Sequence, residues 1–284
     1  MLGVAATTEV SLIVNADDFG MTEGINRGII EAFEAGAVTS TSVMVGMPAF
    51  VDAVCLTRAA GDRLGVGLHF TLTAGRPLTR AASLVNPETG AFLPIRTLLV
   101  RALSGRVRAR EVAEECAAQI ARGRDAGLRL THLDGHHHVH IIPGISGAVR
   151  QVVQAERIPA VRRPVERIVG GPDWRRRLAA RAVIDIFARG VQRKSWHVRT
   201  TEHFCGVTLL GAPRLHSAML RVLDCLPKGT TELMVHPGYV PGPLPGGDAY
   251  TTQREIELRA LTSPEVFERL HSGRIRLMNF GGID

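Results

Sequence analysis

The sequence predicts an α/β fold, a barrel of seven or eight β/α units that occupies residues 1–284 as one domain. Two observations carry this expectation. Short apolar runs alternate with stretches of helical periodicity along the whole chain, the pattern of buried parallel strands joined by crossover helices. The runs also end in residues that carry chemistry. Ser11–Val14 leads into Asn15-Ala16-Asp17-Asp18-Phe19-Gly20, Leu64–Leu68 into His69, and Leu130–Leu133 into Asp134-Gly135-His136-His137-His138-Val139-His140. Ala160-Val161 leads into Arg162-Arg163-Pro164, and Glu232–Val235 into His236-Pro237-Gly238. Side chains at the C-terminal ends of barrel strands converge on one face, where the active sites of such barrels sit. No composition break, repeat or low-complexity tract divides the chain.

The elements follow in order. Glu23–Ala35 sets Ile25, Ile29, Ile30 and Phe33 at helical spacing, and Gly36 stops it. The β-branched run Thr39–Val45 reads as the second strand, and Pro48–Ala60 as the second helix, with proline near its start. The third strand precedes His69. Thr71 to Leu98, marked by Pro77, Pro87, Gly90 and Pro94, reads as a loop-rich insertion. Glu111–Ala126 is a helix stopped at Gly127, and the fourth strand precedes the histidine run. Ile145–Glu156 is helical, the fifth strand precedes Arg163, and Trp174–Ala188 reads as a basic helix. Lys194 to Gly211 supports at most a strand near Phe204–Leu209. Leu215–Leu226 is helical, Glu232–Val235 is the seventh strand, and Pro237–Gly247 forms a loop on the face where lids sit. Gln253–Leu261 and Pro264–Leu270 are helical, and Ile275–Met278 closes the series.

Composition narrows the function classes. At 45% hydrophobic and 21% charged, the chain is ordinary for a soluble globular protein. No apolar stretch approaches the roughly 18 residues of a membrane span. Met1–Thr8 lacks a basic leader region, so no secretory signal is expected. Cys55, Cys116, Cys205 and Cys225 are scattered and read as reduced thiols of a cytoplasmic protein. The net charge of +7 concentrates in the arginine-rich stretch 157–199. That stretch could meet an anionic partner such as lipid headgroups or a phosphorylated substrate; the favoured reading is a solvated helix face in an arginine-rich chain. Only Trp174, Phe187 and Trp196 are interleaved there, so nucleic acid is not expected as a partner. A homo-oligomer stays open.

Asp17 and Asp18 would point to opposite faces of an extended strand. If the chain turns at the strand end, one carboxylate can bind a metal while the other acts on water; alternatively the pair caps the following helix. His69 alone is more readily read as a hydrogen-bonded packing residue at a strand end. The run Asp134–His140 holds four histidines and an aspartate, and a purely structural role would have to satisfy many polar groups at once. Extended alternation places Asp134, His136, His138 and His140 on one side and His137 opposite. One is then a direct ligand, while the others hydrogen-bond to ligands or face substrate. Joined by Asp18 and His69, the cluster offers two imidazoles and one carboxylate, which leave open positions on a hydrolytic divalent ion. Zinc fits best, and magnesium, manganese, cobalt or nickel can occupy such a set. His236 reads either as a turn residue before Pro237 or as a general acid, since an imidazole of pKa about 6.5 can protonate a leaving amine. Arg163 could orient a carboxylate or oxyanion, or form a structural ion pair.

Taken in order, N-A-D-D-F-G at Asn15–Gly20, V-T-S-T-S at Val38–Ser42, G-L-H-F-T-L-T at Gly67–Thr73, T-H-L-D-G-H-H-H-V-H at Thr131–His140 and M-V-H-P-G at Met234–Gly238 form a familiar set. The chain resembles, over nearly its whole length, the YdjC-like carbohydrate deacetylases, which include chitooligosaccharide and hopanoid-biosynthesis-associated deacetylases. The resemblance implies a distorted (β/α) barrel of the polysaccharide-deacetylase type. It implies Asp18, His69 and His136 as metal ligands, Asp17 as general base and His236 as general acid. The implied reaction removes an N-acetyl group from an amino sugar or oligosaccharide, free or lipid-linked. Two alternatives are a barrel metallohydrolase acting on a phosphoester or cyclic amide, and a non-catalytic module that binds anionic surfaces. A two-metal phosphoesterase would need more bridging carboxylates than these strand ends supply.

Overall fold

The computed structural model of the protein describes residues 9–166, 178–192 and 196–283. Its strands are β1 (Val10–Phe19), β2 (Ser40–Val43), β3 (Gly65–Phe70), β4 (Leu130–Gly135), β5 (Ala160–Val161), β6 (His203–Cys205), β7 (Gly229–Val235) and β8 (Ile275–Leu277). They form one sheet in the order β5-β4-β3-β2-β1-β7-β6, every ladder parallel, with β8 paired to the first residues of β1. Single parallel bridges, Ala160 to Arg199 and Glu166 to Phe204, join the two ends of that order. The sheet therefore curls into the expected α/β barrel, distorted because the seam beside the two-residue β5 is held by isolated bridges in place of a ladder.

Parallel strands need crossovers, and helices supply them. These are α1 (Glu23–Glu34), α2 (Phe50–Ala60), α3 (Ile95–Leu103), α4 (Ala109–Asp125), α5 (Ser146–Ala155), α6 (Leu178–Gln192), α7 (Leu215–Asp224), α8 (Thr252–Leu261) and α9 (Pro264–Leu270). In α1 the Thr22 hydroxyl accepts from the Ile25 N–H, and Ile25, Ile29 and Ala32 form the buried stripe. The helix α3 lies across the end of the segment read as loop. Pro94 stands at its N-cap, where a missing N–H costs nothing, so the proline opened a helix there instead of excluding one. The strand β1 also runs further than its apolar core, through Asp17 and Asp18 to Phe19.

Alternate strand residues enter the barrel. At its lower end Ile13, Ala160, Phe280 and Ile283 form one apolar cluster, so the C-terminal segment plugs the barrel. Phe280 stacks on His132 with ring centroids 3.8 Å apart. Burial pushes the His132 pKa down to about 4, which leaves a neutral ring at neutral pH. Above this floor the interior is polar: Asn15, Asp17, Ser42, His69, Asp134, Arg162 and Glu232 are all buried and linked by hydrogen bonds.

Of the basic stretch, Arg157, Arg189 and Arg199 are exposed, whereas Arg162 is buried in the barrel and belongs to no surface. Arg167, Arg175, Arg176, Arg177, Arg193 and Lys194 lie outside the described residues, as does the start of the expected basic helix at Trp174. No helix among the described residues is long and apolar enough to cross a membrane.

Gly67 makes the floor possible, because a Cβ there would stand 2.4 Å from His132 Cε1. Gly67→Ala is expected to overpack the barrel and cost about 1–3 kcal/mol, read as a lower urea midpoint. An unchanged midpoint would show that the His132 ring can move aside.

Candidate metal centre

Asp18 carries a positive φ of 70°, at the point where the β1–β2 register slips between Ala16 and Phe19. That left-handed step inside a strand is costly for a non-glycine residue and persists only where neighbours hold it. It turns Asp18 onto the face that Asp17 occupies by ordinary alternation. The second break follows β4. The segment His136–Ile141 turns tightly across a kink, with left-handed φ of 53° at His137 and 55° at His138. The extended alternation expected for the histidine run therefore fails. His136, His137 and His138 all line one cleft, and His137 Nδ1 lies 3.0 Å from Thr73 Oγ1. His140 turns away, its Nε2 3.1 Å from the Arg162 carbonyl. Burial holds His137 at about 3, His140 at about 4 and His138 well below the usual imidazole range, so all three are neutral at pH 7.

Asp18 Oδ1 lies 3.2 Å from His69 Nε2 and 3.0 Å from His136 Nδ1. These three ligand atoms stand within 4.8 Å of one another, all on buried residues. The far side of the His69 ring is engaged as well: Nδ1 is 2.8 Å from Asp134 Oδ1 and 3.0 Å from Ser42 Oγ. A carboxylate that accepts a hydrogen bond from Nδ1–H leaves the Nε2 lone pair for an ion, an arrangement common behind metal-bound histidines. Two imidazole nitrogens and one carboxylate oxygen fit a divalent ion and leave coordination positions open. Burial opposes a charge on His69, but the Asp134 and Asp17 carboxylates outweigh it and raise the pKa to about 10. Burial likewise opposes a charge on Asp18, yet Arg254 and His136 hold it well below the carboxylate range.

Asp17 is held by a different cation. Arg162 Nη1 and Nη2 donate to its two carboxylate oxygens at 2.6 Å each. Nη2 also lies 2.9 Å from Asp134 Oδ2, and Nε donates to Glu232 Oε1 at 2.7 Å. The arginine of the Arg162-Arg163 pair that reaches the site is therefore Arg162; Arg163 is half-buried and does not line the cleft. Alternation decides this, since Ala160 points into the barrel floor and Arg162 follows it by two. Burial, with Asp134 and Asp17 nearby, lifts Glu232 to about 7 despite Arg162.

His236 follows β7, its Nε2 3.9 Å from Asp17 Oδ2 and its Nδ1 4.0 Å from Glu257 Oε2. A cleft of about 600 Å³ joins Asp17, Asp18, His69, His136 and His236 to Ile95, Ile184, Val207, Leu210, Met234, Asp248, Tyr250 and Gln253. Arg254 and Glu257 were not foreseen in the sequence. Arg254 Nη2 donates to Asp18 Oδ2 at 2.6 Å and to Asp248 Oδ2 at 3.0 Å. A signal existed: the buried stripe Leu258 and Leu261 of α8, extended backwards at helical spacing, falls on Arg254 and Glu257.

Chelator-treated protein is expected to lose stability as pH rises from 7 to 9. The unfolded chain's His69 has already lost its proton above about 6.5, while the folded ring keeps its own up to about 10, so stability present below 6.5 drains away with rising pH. Urea midpoints measure it; His69→Asn should flatten the slope, and an equal slope in that variant would contradict the assignment.

The chain matches the family described as YdjC-like protein over residues 11–272. It is 36% identical over 269 residues to a carbohydrate deacetylase of Geobacillus stearothermophilus, covering 94% of this chain and 96% of the relative. It is 36% identical over 302 residues to a carbohydrate deacetylase of Homo sapiens, covering 96% and 91%. A crystal structure from Enterococcus faecalis V583, of a protein named for cellobiose-phosphate cleavage, superposes with a TM-score of 0.78 at 27% identity, covering 96% and 98%. The chain belongs to the YdjC-like protein family.

Proposed function

We propose that the chain, acting as one domain over residues 1–284, is a metal-dependent deacetylase that hydrolyses the N-acetyl group of an amino sugar to amine and acetate. The observation that carries this reading is the convergence of Asp18, His69 and His136 beside Asp17 and His236 in one cleft. Relatives named carbohydrate deacetylase at 36% identity support the sugar. Asp18 Oδ1, His69 Nε2 and His136 Nδ1 would hold the ion, and the two nitrogen donors favour zinc over magnesium. When bound there, a divalent ion supplies Lewis acidity towards an amide carbonyl and lowers the pKa of water.

The chain's own residues do the rest. Asp17 takes the proton of the attacking water as its oxygen bonds to the acetyl carbon. The Arg162 fork fixes that carboxylate in place and orientation. His236 gives a proton to the sugar nitrogen as the C–N bond breaks, and amine and acetate leave. The 3.9 Å between His236 Nε2 and Asp17 Oδ2 lets the proton gained by Asp17 return to His236 through solvent. Asp134 sets the His69 tautomer, while His137 and His138, neutral and in the cleft wall, face substrate. His140, bonded to the Arg162 carbonyl, steadies the strand end behind them. A phosphoester substrate is disfavoured, because no lysine or arginine is among the described residues that line the cleft.

Asp17→Asn is expected to retain its ion by metal analysis and to lose at least about 100-fold in turnover, measured as acetate released from acetylated mono- and oligosaccharides. Turnover near wild type would overturn the assignment of the base.

A further inference from the structure

Arg254 is fully buried and reaches the candidate metal centre through Nη2 without lining the cleft. Its Nε donates to the Tyr250 carbonyl at 2.8 Å, and Nη2 is shared between Asp18 Oδ2 at 2.6 Å and Asp248 Oδ2 at 3.0 Å. Nη1 is buried without a hydrogen-bond partner. The two oxygens of Asp18 are thereby divided, with Oδ2 on the guanidinium and Oδ1 towards His69 and His136. One turn further along α8, Glu257 accepts the backbone N–H of His236 and the hydroxyl of Tyr250. A single helical turn thus holds the strand end of β1 and that of β7.

We propose that Arg254 is a positioning residue for the ion: by occupying Asp18 Oδ2 it commits Asp18 to bind through Oδ1 alone, and through Asp248 it ties the loop before α8 to that ligand. The proposal rests on the reading of Asp18, His69 and His136 as the ion's ligands. It makes a counterintuitive prediction. A cation 2.6 Å from a ligand carboxylate repels an incoming divalent ion, so if Arg254 only balances charge, its removal should tighten metal binding. If it orients the ligand, its removal should weaken binding, as the loss of groups that orient metal ligands usually does.

The test titrates chelator-treated protein with cobalt(II) and zinc(II) and reads the dissociation constant by competition with a chromophoric chelator, without any activity assay. Arg254→Gln is expected to bind both ions about 10-fold or more weakly. Arg254→Lys keeps the charge but loses the planar fork. It should also bind more weakly, and wild-type affinity in the lysine variant would overturn the proposal. Asp248→Asn leaves Arg254 in place but frees it to drift, and is expected to weaken binding by a smaller factor. Should Arg254→Gln fail to fold by circular dichroism, the lysine and Asp248 variants carry the decision. Wild-type protein that binds neither ion would defeat the underlying reading of the ligands. Wild-type protein that binds them, beside an Arg254→Gln variant of equal or higher affinity, would defeat the role given to Arg254 alone.

Discussion

One guanidinium inside the barrel sustains the rest of the site. Arg162 is buried and touches Asp17, Asp134 and Glu232, three carboxylates carried by three different strands. Without that cation their mutual repulsion and loss of hydration would force protons onto them, because buried charges persist only when paired. Even with Arg162 present, Glu232 rises to about 7, which shows how little negative charge the interior can still absorb. Removing one partner from such a buried network typically costs about 3–5 kcal/mol. The same contacts have chemical consequences: Asp17 is presented to the cleft at a set angle, and Asp134 is free to hold the Nδ1 side of His69.

Two local distortions convert this interior into a site. Asp18 takes a left-handed backbone step within β1, and His137 and His138 do so after β4. Regular strands would have sent Asp18 into the outer layer and split the histidines between faces. Each distortion is held by partners across the barrel. Asp18 has Arg254, His69 and His136, and the turn after β4 has Thr73 and the Arg162 carbonyl. Strain and the candidate metal centre thus coincide at residues whose neighbours over-determine their conformation.

The strands and helices were legible because apolar periodicity reflects burial, and the barrel buries its strands on both sides. Asp17, Asp18, His69, His136 and His236 stood out because polar groups directly after apolar runs are unusual anywhere but at strand ends. The choice of Arg162 over Arg163 was not legible, because alternation selects Arg162 only once Ala160 is known to face the barrel floor, and a two-residue strand gives alternation little to grip. Arg254 and Glu257 were hidden by their type. Charged residues on a helix are ordinarily solvent-facing, and only the stripe shared with Leu258 and Leu261 marked them as buried.

By itself the sequence determined the α/β barrel, its order of elements and the strand ends that carry acid and imidazole groups, because each of these follows from local periodicity and residue type. Only the tertiary structure decided which atoms meet. Whether Asp18 shares a face with Asp17, which histidines reach the cleft, and which arginine lies on which carboxylate all depend on backbone steps that are unfavourable in isolation. They are stabilised by partners up to 236 positions away along the chain, and contacts at that separation leave no trace in the pattern of neighbouring residues.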